Sequence, residues 1–209
     1  MPPCAAVLLA AGRGLRFGGD TPKPLLRFRG KPLVRHAFEA AAASGLAPVV
    51  IVVSDDRVED TLAPDSGGGV VRIVRNPSPE LGIASSLHAA LRALEPDATV
   101  AAVVVGLADQ PLVGADAYRR VAGAYDGGDR LAVATYGGAR GNPVLIGREH
   151  WAEALALAGD VGARALLQKH GAREVPCDGT GEPTDVDTPE DLAALEARTD
   201  APDPRPLET

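Results

Sequence analysis

"AAVLLAAGRGLRFGGDTPKPLL", residues 5–26, opens on an unbroken apolar run and then turns abruptly to glycines, cations and prolines. A short apolar run with no polar interruption is the pattern of a strand covered on both faces, as in a parallel sheet flanked by helices. "PVVIVVS" from Pro48 and "VAAVVVG" from Val100 repeat that pattern, and "VVRIV" from Val70 and "RLAVATY" from Arg130 add two further strands.

Ala/Leu-rich stretches lie between these runs: "PLVRHAFEAAAASG" after Lys31, "GIASSLHAALRALE" from Gly82 and "GADAYRRVAGAY" from Gly114. In the second, Ile83, Leu87, Leu91 and Leu94 recur at helical spacing and make one apolar stripe. Strand then helix, repeated, predicts a doubly wound α/β fold with a mostly parallel sheet. Past Tyr136 the rhythm changes. "GGARGNPVLIG" predicts a turn and a short strand, helices follow around Trp151 and Leu166, and the block reads as an insertion or cap. A last helix is predicted over about 189–197, followed by a frayed or disordered Pro-rich, acidic tail over 199–209. "DSGGG" at 65–69 reads as a flexible surface loop. With 209 residues, 45% of them hydrophobic and 23% charged, one domain over 1–198 is expected.

The formal net charge of -7 argues against nucleic acid as a partner, since such binding draws its affinity from phosphate neutralisation by Lys and Arg. The single tryptophan, Trp151, offers no stacking platform for bases. Cys4 and Cys177 are too few for a disulfide framework and lack metal-ligand spacing, and His36, His88, His150 and His170 form no paired motif. The N-terminal stretch has no basic region ahead of its short apolar run, so neither export nor membrane anchoring is expected. The expected location is the cytoplasm.

The loop after the first strand occupies the position where open α/β sheets bind ligands. It does not match the dinucleotide fingerprint, because Phe17 stands where the third glycine belongs and Pro22 and Pro24 prevent an immediate helix. Nor is it a P-loop, because Gly19 is followed by Asp20 and Thr21 rather than by Lys and Ser/Thr. The chain is expected to stay irregular until about residue 31. The loop carries Arg13, Arg16, Lys23, Arg27, Arg29 and Lys31 against the single acid Asp20, which suits a polyanion. Its glycines let backbone N–H groups approach phosphates.

These residues resemble the signature L-A-A-G-x-S-x-R-[MF]-G with a following lysine, found in the nucleotidyltransferase family that includes molybdenum cofactor cytidylyltransferases and guanylyltransferases. Leu9, Ala10, Ala11, Gly12, Arg16, Phe17, Gly18 and Lys23 match, and Gly14 stands where the family often has serine. The resemblance implies a three-layer, Rossmann-like and glycosyltransferase-A-like fold. It also implies nucleotide binding by residues 9–12 with Arg13 and Gly14, and catalytic roles for Lys23 and Arg16 on the triphosphate.

A nucleoside triphosphate needs a magnesium ligand, and magnesium takes one or two carboxylates from protein. Asp109, in "VVVGLADQPLV", follows the end of a central strand, where it is either a ligand or a helix-capping turn residue. In "PTDVDTPEDLAAL", Thr188 as N-cap, Pro189 at the first helical position and Asp191 three residues past the cap make a complete helix start. That leaves Asp187 available, with Asp185 on the same face of an extended segment. Both segments resemble the family's D-x-P and D-x-D-T-P-E-D blocks, which implies Asp109 and Asp187 as the magnesium pair, with manganese an alternative.

In "NPSPELGIASSL", Gly82 opens a helix whose first turns hold Ser85 and Ser86, either plain caps or nucleotide contacts. The segment resembles the family's nucleotide-contacting G-x-x-x-S-L. "GARGNPVLIG" and "AGDVGARALL" resemble blocks of the molybdenum cofactor cytidylyltransferase branch, which implies that Arg140, Asn142, Asp160 and Arg164 line the pterin end. Family members with "LAAG" tend to use cytidine nucleotides, so Ala11 favours CTP over GTP. The resemblance implies CMP transfer from CTP to molybdopterin-type cofactor with release of pyrophosphate and a possible molybdoenzyme recipient. The alternatives are a guanylyltransferase, a sugar-phosphate or phospholactate nucleotidyltransferase, or a binding chaperone without turnover.

Overall fold

The computed structural model describes residues 3–12, 20–62 and 70–200. Arg13, Gly14, Arg16, the 65–69 loop and residues 201–209 of the tail lie outside them.

Among the described residues the first strand, β1 (Cys4–Leu9), is buried throughout. A small hairpin, β2 (Arg27–Phe28) and β3 (Lys31–Pro32), leads into α1 (Leu33–Ala43). Then follow β4 (Val49–Val53), α2 (Asp56–Leu62), β5 (Val71–Arg75), α3 (Ile83–Leu94), β6 (Ala102–Leu107) and α4 (Ala115–Asp126). The remainder comprises β7 (Leu131–Tyr136), β8 (Ala139–Gly147), α5 (Trp151–Ala154), α6 (Gly162–His170), β9 (Arg173–Pro176) and α7 (Pro189–Asp200). The main sheet has seven strands in the order β5-β4-β1-β6-β8-β7-β9. All its pairings are parallel except those of β8 with β6 and β7.

The alternation along β1 explains the layering. Cys4, Ala6 and Leu8 enter one core with residues of α1, α2 and α4, including Phe38, Leu62 and Tyr118. Ala5, Val7 and Leu9 enter another with α3, α5 and α6, including Leu91, Trp151 and Leu166. A side chain on either face of the strand therefore meets a helix, and only apolar residues satisfy both. In β6, Gly106 makes room for α4: a Cβ there would lie 1.9 Å from the Tyr118 hydroxyl.

Two expectations are corrected. The "insertion" after Tyr136 is part of the main sheet: Gly137 and Gly138, at φ of +56° and +81°, turn the chain so that β8 runs back between β6 and β7. Tight turns at positive φ favour glycine, so the Gly-Gly pair was the available signal. The region before residue 31 is not wholly irregular, since a 3-10 turn at Lys23–Leu25 precedes the hairpin. Helix α2 and strand β9 escape the periodicity argument because they are short, α2 being mostly polar and β9 half polar. Among the described residues, no helix is long and apolar enough to cross a membrane.

Candidate active site

The carboxyl ends of β1, β4 and β6 are in register, Leu9 pairing with Val52 on one side and Leu107 on the other. The backbone then continues the ladder, with Ala10 N–H donating to Val52 O at 2.8 Å and Ala108 N–H to Leu9 O at 3.0 Å. Residues 10–12 and Asp109 thereby emerge side by side. They line a cleft of about 530 Å³ together with Leu9, Lys23, Gly82, Ser86, Asp160 and Asp187.

Lys23 is the electrostatic centre of this cleft. Its Nζ donates to Asp109 Oδ2 at 2.6 Å and to Asp187 Oδ1 at 2.5 Å, with only 9% of its side chain exposed. Burial alone would lower the lysine pKa, but the charges and hydrogen bonds of Asp109 and Asp187 outweigh it and raise it above the ordinary lysine value. The ammonium therefore stays charged until strongly alkaline pH. Its stabilising contribution is fully present below the unfolded-state pKa and is lost only as pH rises through the raised folded value.

The partners are held by a separate small core. Phe28 of β2, Leu33 of α1, Val186 and Leu195 of α7 are all buried together. Val186 N–H donates to Asp109 O at 3.0 Å, which fixes the 185–187 segment against the end of β6. The reciprocal cap read from the sequence is present: Asp191 N–H donates to Thr188 Oγ1 at 3.1 Å, and the Asp191 carboxylate accepts from the N–H groups of Thr188 and Asp187. Asp185 turns instead to Gln110, accepting from its Nε2 at 2.8 Å.

The residues fit a divalent metal. Asp109 Oδ1 is buried with no hydrogen-bond partner among the described residues, and its carboxylate already converges with Asp187 on one cation. An unsatisfied buried carboxylate oxygen is costly without a ligand. Two carboxylates are also what magnesium or manganese takes from protein when phosphate and water supply the rest.

The second pocket, also about 530 Å³, shares Leu9, Ile83, Leu107 and Asp160 with the first. Val105, Val133 and Val144 contribute apolar surface from three strands, while Arg140, Asn142, Asp160 and Arg164 all line it. The four residues expected at the substrate end are therefore brought together. Arg140 Nε also pairs with Glu174 at 2.8 Å. Other expectations dissolve. Arg27 donates to the Gly30 carbonyl, Lys31 pairs with Glu39 and Arg29 lies over the Phe28 ring, so none of these cations lines either pocket.

Residues 6–175 match the model of the MobA-like NTP transferase domain. The chain belongs to the MobA-like NTP transferase family. Relatives include the bifunctional enzyme IspD/IspF of Novosphingobium aromaticivorans, 38% identical over 110 residues, which are 53% of this chain and 28% of that protein. The bifunctional protein GlmU of Kineococcus radiotolerans is 36% identical over 136 residues, 64% of this chain and 27% of that protein. The chain thus spans little more than a quarter of the length of these two relatives. Among solved structures, Rv0371c of Mycobacterium tuberculosis in complex with manganese aligns with a TM-score of 0.74 and 27% identity, covering 93% of this chain and 98% of that one.

Within this MobA-like domain, Asn76 is the residue that sequence reasoning missed. Buried at 3% exposure, it donates through Nδ2 to Ser85 Oγ at 2.8 Å and Ser86 Oγ at 3.0 Å, and its Oδ1 accepts from Ser78 N–H at 3.0 Å. Ser85 donates onward to Gly82 O at 2.7 Å and lines neither pocket, so of the two serines only Ser86 faces the cleft. The polar Asn-Pro-Ser run ahead of the helix was the only signal. Asn76→Ala is expected to lose about 1–3 kcal/mol of stability, because it strands the buried Ser86 hydroxyl. It should also raise KM for nucleotide more than it lowers kcat. Urea denaturation and steady-state kinetics check both parts.

Gly82 is required for two reasons. Its φ is +87°, and a Cβ there would lie 2.5 Å from Gly159 C and 2.6 Å from Asp160 Oδ1. Asp160 Oδ1 meanwhile accepts from Ile83 N–H at 3.3 Å, so the 159–160 turn caps α3 from across the pockets. Gly82→Ala should cost roughly 1–3 kcal/mol from the strained φ alone. By pushing Asp160 away it should weaken binding in both pockets, which calorimetric titration of nucleotide together with thermal melts would show.

Proposed function

We propose that the protein is a metal-dependent nucleotidyltransferase that moves CMP from CTP to the phosphate of molybdopterin-type cofactor and releases pyrophosphate. The observation that carries this reading is the pair of adjoining pockets. One holds Lys23, Asp109 and Asp187 beside the residues 9–12 backbone, and the other gathers Arg140, Asn142, Asp160 and Arg164 around an apolar floor. Arginines at the rim suit an anionic phosphate, and the valine-lined floor suits a flat heterocycle.

In the proposed reaction an oxygen of the acceptor phosphate forms a bond to the α-phosphorus of CTP as the bond to the bridging oxygen of pyrophosphate breaks. The nucleophile is already ionised, so no side chain has to remove a proton. The chain's task is alignment and charge stabilisation. Asp109 and Asp187 would hold magnesium or manganese, which when bound neutralises charge on the triphosphate. Lys23, released from the carboxylates, would serve the phosphates together with the backbone N–H groups of residues 10–12. From the sequence resemblance, Arg13, Gly14 and Arg16 would join them. Ala11, buried and lining the cleft, places a methyl group where a glycine would leave room for a larger purine, which favours CTP over GTP.

The test is pyrophosphate release with magnesium, using CTP and GTP separately, each with and without molybdopterin-type cofactor. Release with CTP only in the presence of cofactor is the expected result. Release with CTP and a sugar phosphate or phospholactate but not the cofactor would replace the acceptor, and tight CTP binding without release to any acceptor would leave a binding protein.

A further inference from the structure

Histidine spacing in the sequence suggests no paired motif, yet the fold brings two histidines together at a place that lines neither pocket. The rings of His150 and His170 lie 5.1 Å apart between centroids, and Glu153 Oε2 is 2.7 Å from His170 Nε2. One ligand atom from each of these three residues lies within 4.8 Å of the others. We propose that His150, Glu153 and His170 form a binding site for a zinc-class divalent cation, supplied with two imidazole nitrogens and one carboxylate oxygen.

The donor set selects the metal class. Imidazole favours zinc, copper or nickel over magnesium, and three protein ligands with a water in the fourth position is a common zinc arrangement. The backbone that carries the ligands is rigidly seated. His150 ends a 3-10 turn that runs into α5, whose Trp151 and Ala154 are buried in the core. That turn is tied down by Arg148, which donates to the carbonyls of Asp97 and Val100 at 2.7 Å each and lies 4.7 Å over the Trp151 ring. His170 ends α6, which Leu166 and Leu167 anchor in the same core. Only side-chain rotations are therefore needed to converge on an ion. One group opposes it: Lys169 Nζ pairs with Glu153 Oε1 at 2.8 Å, bringing a positive charge beside the site while leaving Oε2 to the histidine.

A cation here would staple α5 to α6. Because α6 also presents Arg164 and Leu167 to the second pocket, the staple would stiffen that pocket's wall.

The test is zinc titration by calorimetry on the untagged protein in excess magnesium, which would occupy the proposed Asp109–Asp187 site. One equivalent of zinc is expected to bind and to raise Tm. His150→Ala and His170→Ala should each weaken binding about tenfold or more and abolish the Tm rise, while Lys169→Ala should tighten it severalfold by removing the competing charge. Absence of a one-to-one zinc complex, or affinity that both histidine variants leave unchanged, overturns the proposal. These side chains are at least partly solvent-exposed, and circular dichroism of each variant separates lost ligation from lost folding.

Discussion

Replacing Asp109 by asparagine is expected to cut metal-dependent pyrophosphate release by about a thousandfold while leaving the fold intact. The magnitude follows from the several kcal/mol of charge stabilisation that a bound metal supplies, at 1.36 kcal/mol for each factor of ten in rate. The fold should survive because Asp109 contributes to packing through its backbone, whose carbonyl accepts from Val186 N–H. Asparagine keeps one oxygen for Lys23 but sets a neutral amide where the partnerless Oδ1 is buried. Magnesium affinity should fall with activity, and a matched Tm in metal-free buffer would place the loss in ligation. Turnover within threefold of the parent protein would remove Asp109 from the chemistry.

The second large effect is expected at Lys23. Its ammonium occupies the position between two carboxylates that a divalent ion would take, so Lys23→Met should have opposite consequences with and without metal. In metal-free buffer the variant should lose about 1–3 kcal/mol, since two carboxylates are left facing each other; the exposure of Asp187, 45% of its side chain, keeps the cost below that of a fully buried pair. Magnesium should restore that stability and bind more tightly than to the parent protein. Turnover should still fall by about 10²–10³, the usual cost of removing one group that stabilises developing charge. Thermal melts across a magnesium series and kinetics at saturating metal separate the two effects. Weaker magnesium binding in the variant would mean that lysine and metal do not compete.

How far the sequence carried the fold can be judged element by element. The continuous apolar runs of β1, β4 and β6 and the stripe of α3 were legible because burial on both faces, or on one helical face, leaves no freedom in residue type. The antiparallel β8 was harder, because a strand's direction in a sheet depends on the turn before it, and the Gly137–Gly138 pair alone had to signal the reversal. Asp109 was legible at a strand end and Asp187 beside a helix start, whereas Lys23 was singled out within a cationic loop by the family resemblance; the fold brings the three side chains within hydrogen-bond distance. Asn76 was not, because its role is to satisfy Ser85 and Ser86 across a turn, a relation with no spacing rule. The partly exposed His150–Glu153–His170 group was missed for the same reason: packing of α5 and the turn before it on α6 brings it together, not periodicity.

The bond between Lys23 and Asp187 joins residues 164 positions apart. A nascent chain still on the ribosome can build most of the sheet before Asp187 emerges, and until then Asp109 is the one of these two carboxylates available to Lys23. The cleft therefore gains its second carboxylate only after the strands that frame it have been made, and a chain cut short before Asp187 would keep Asp109 as the one acid of the pair facing Lys23.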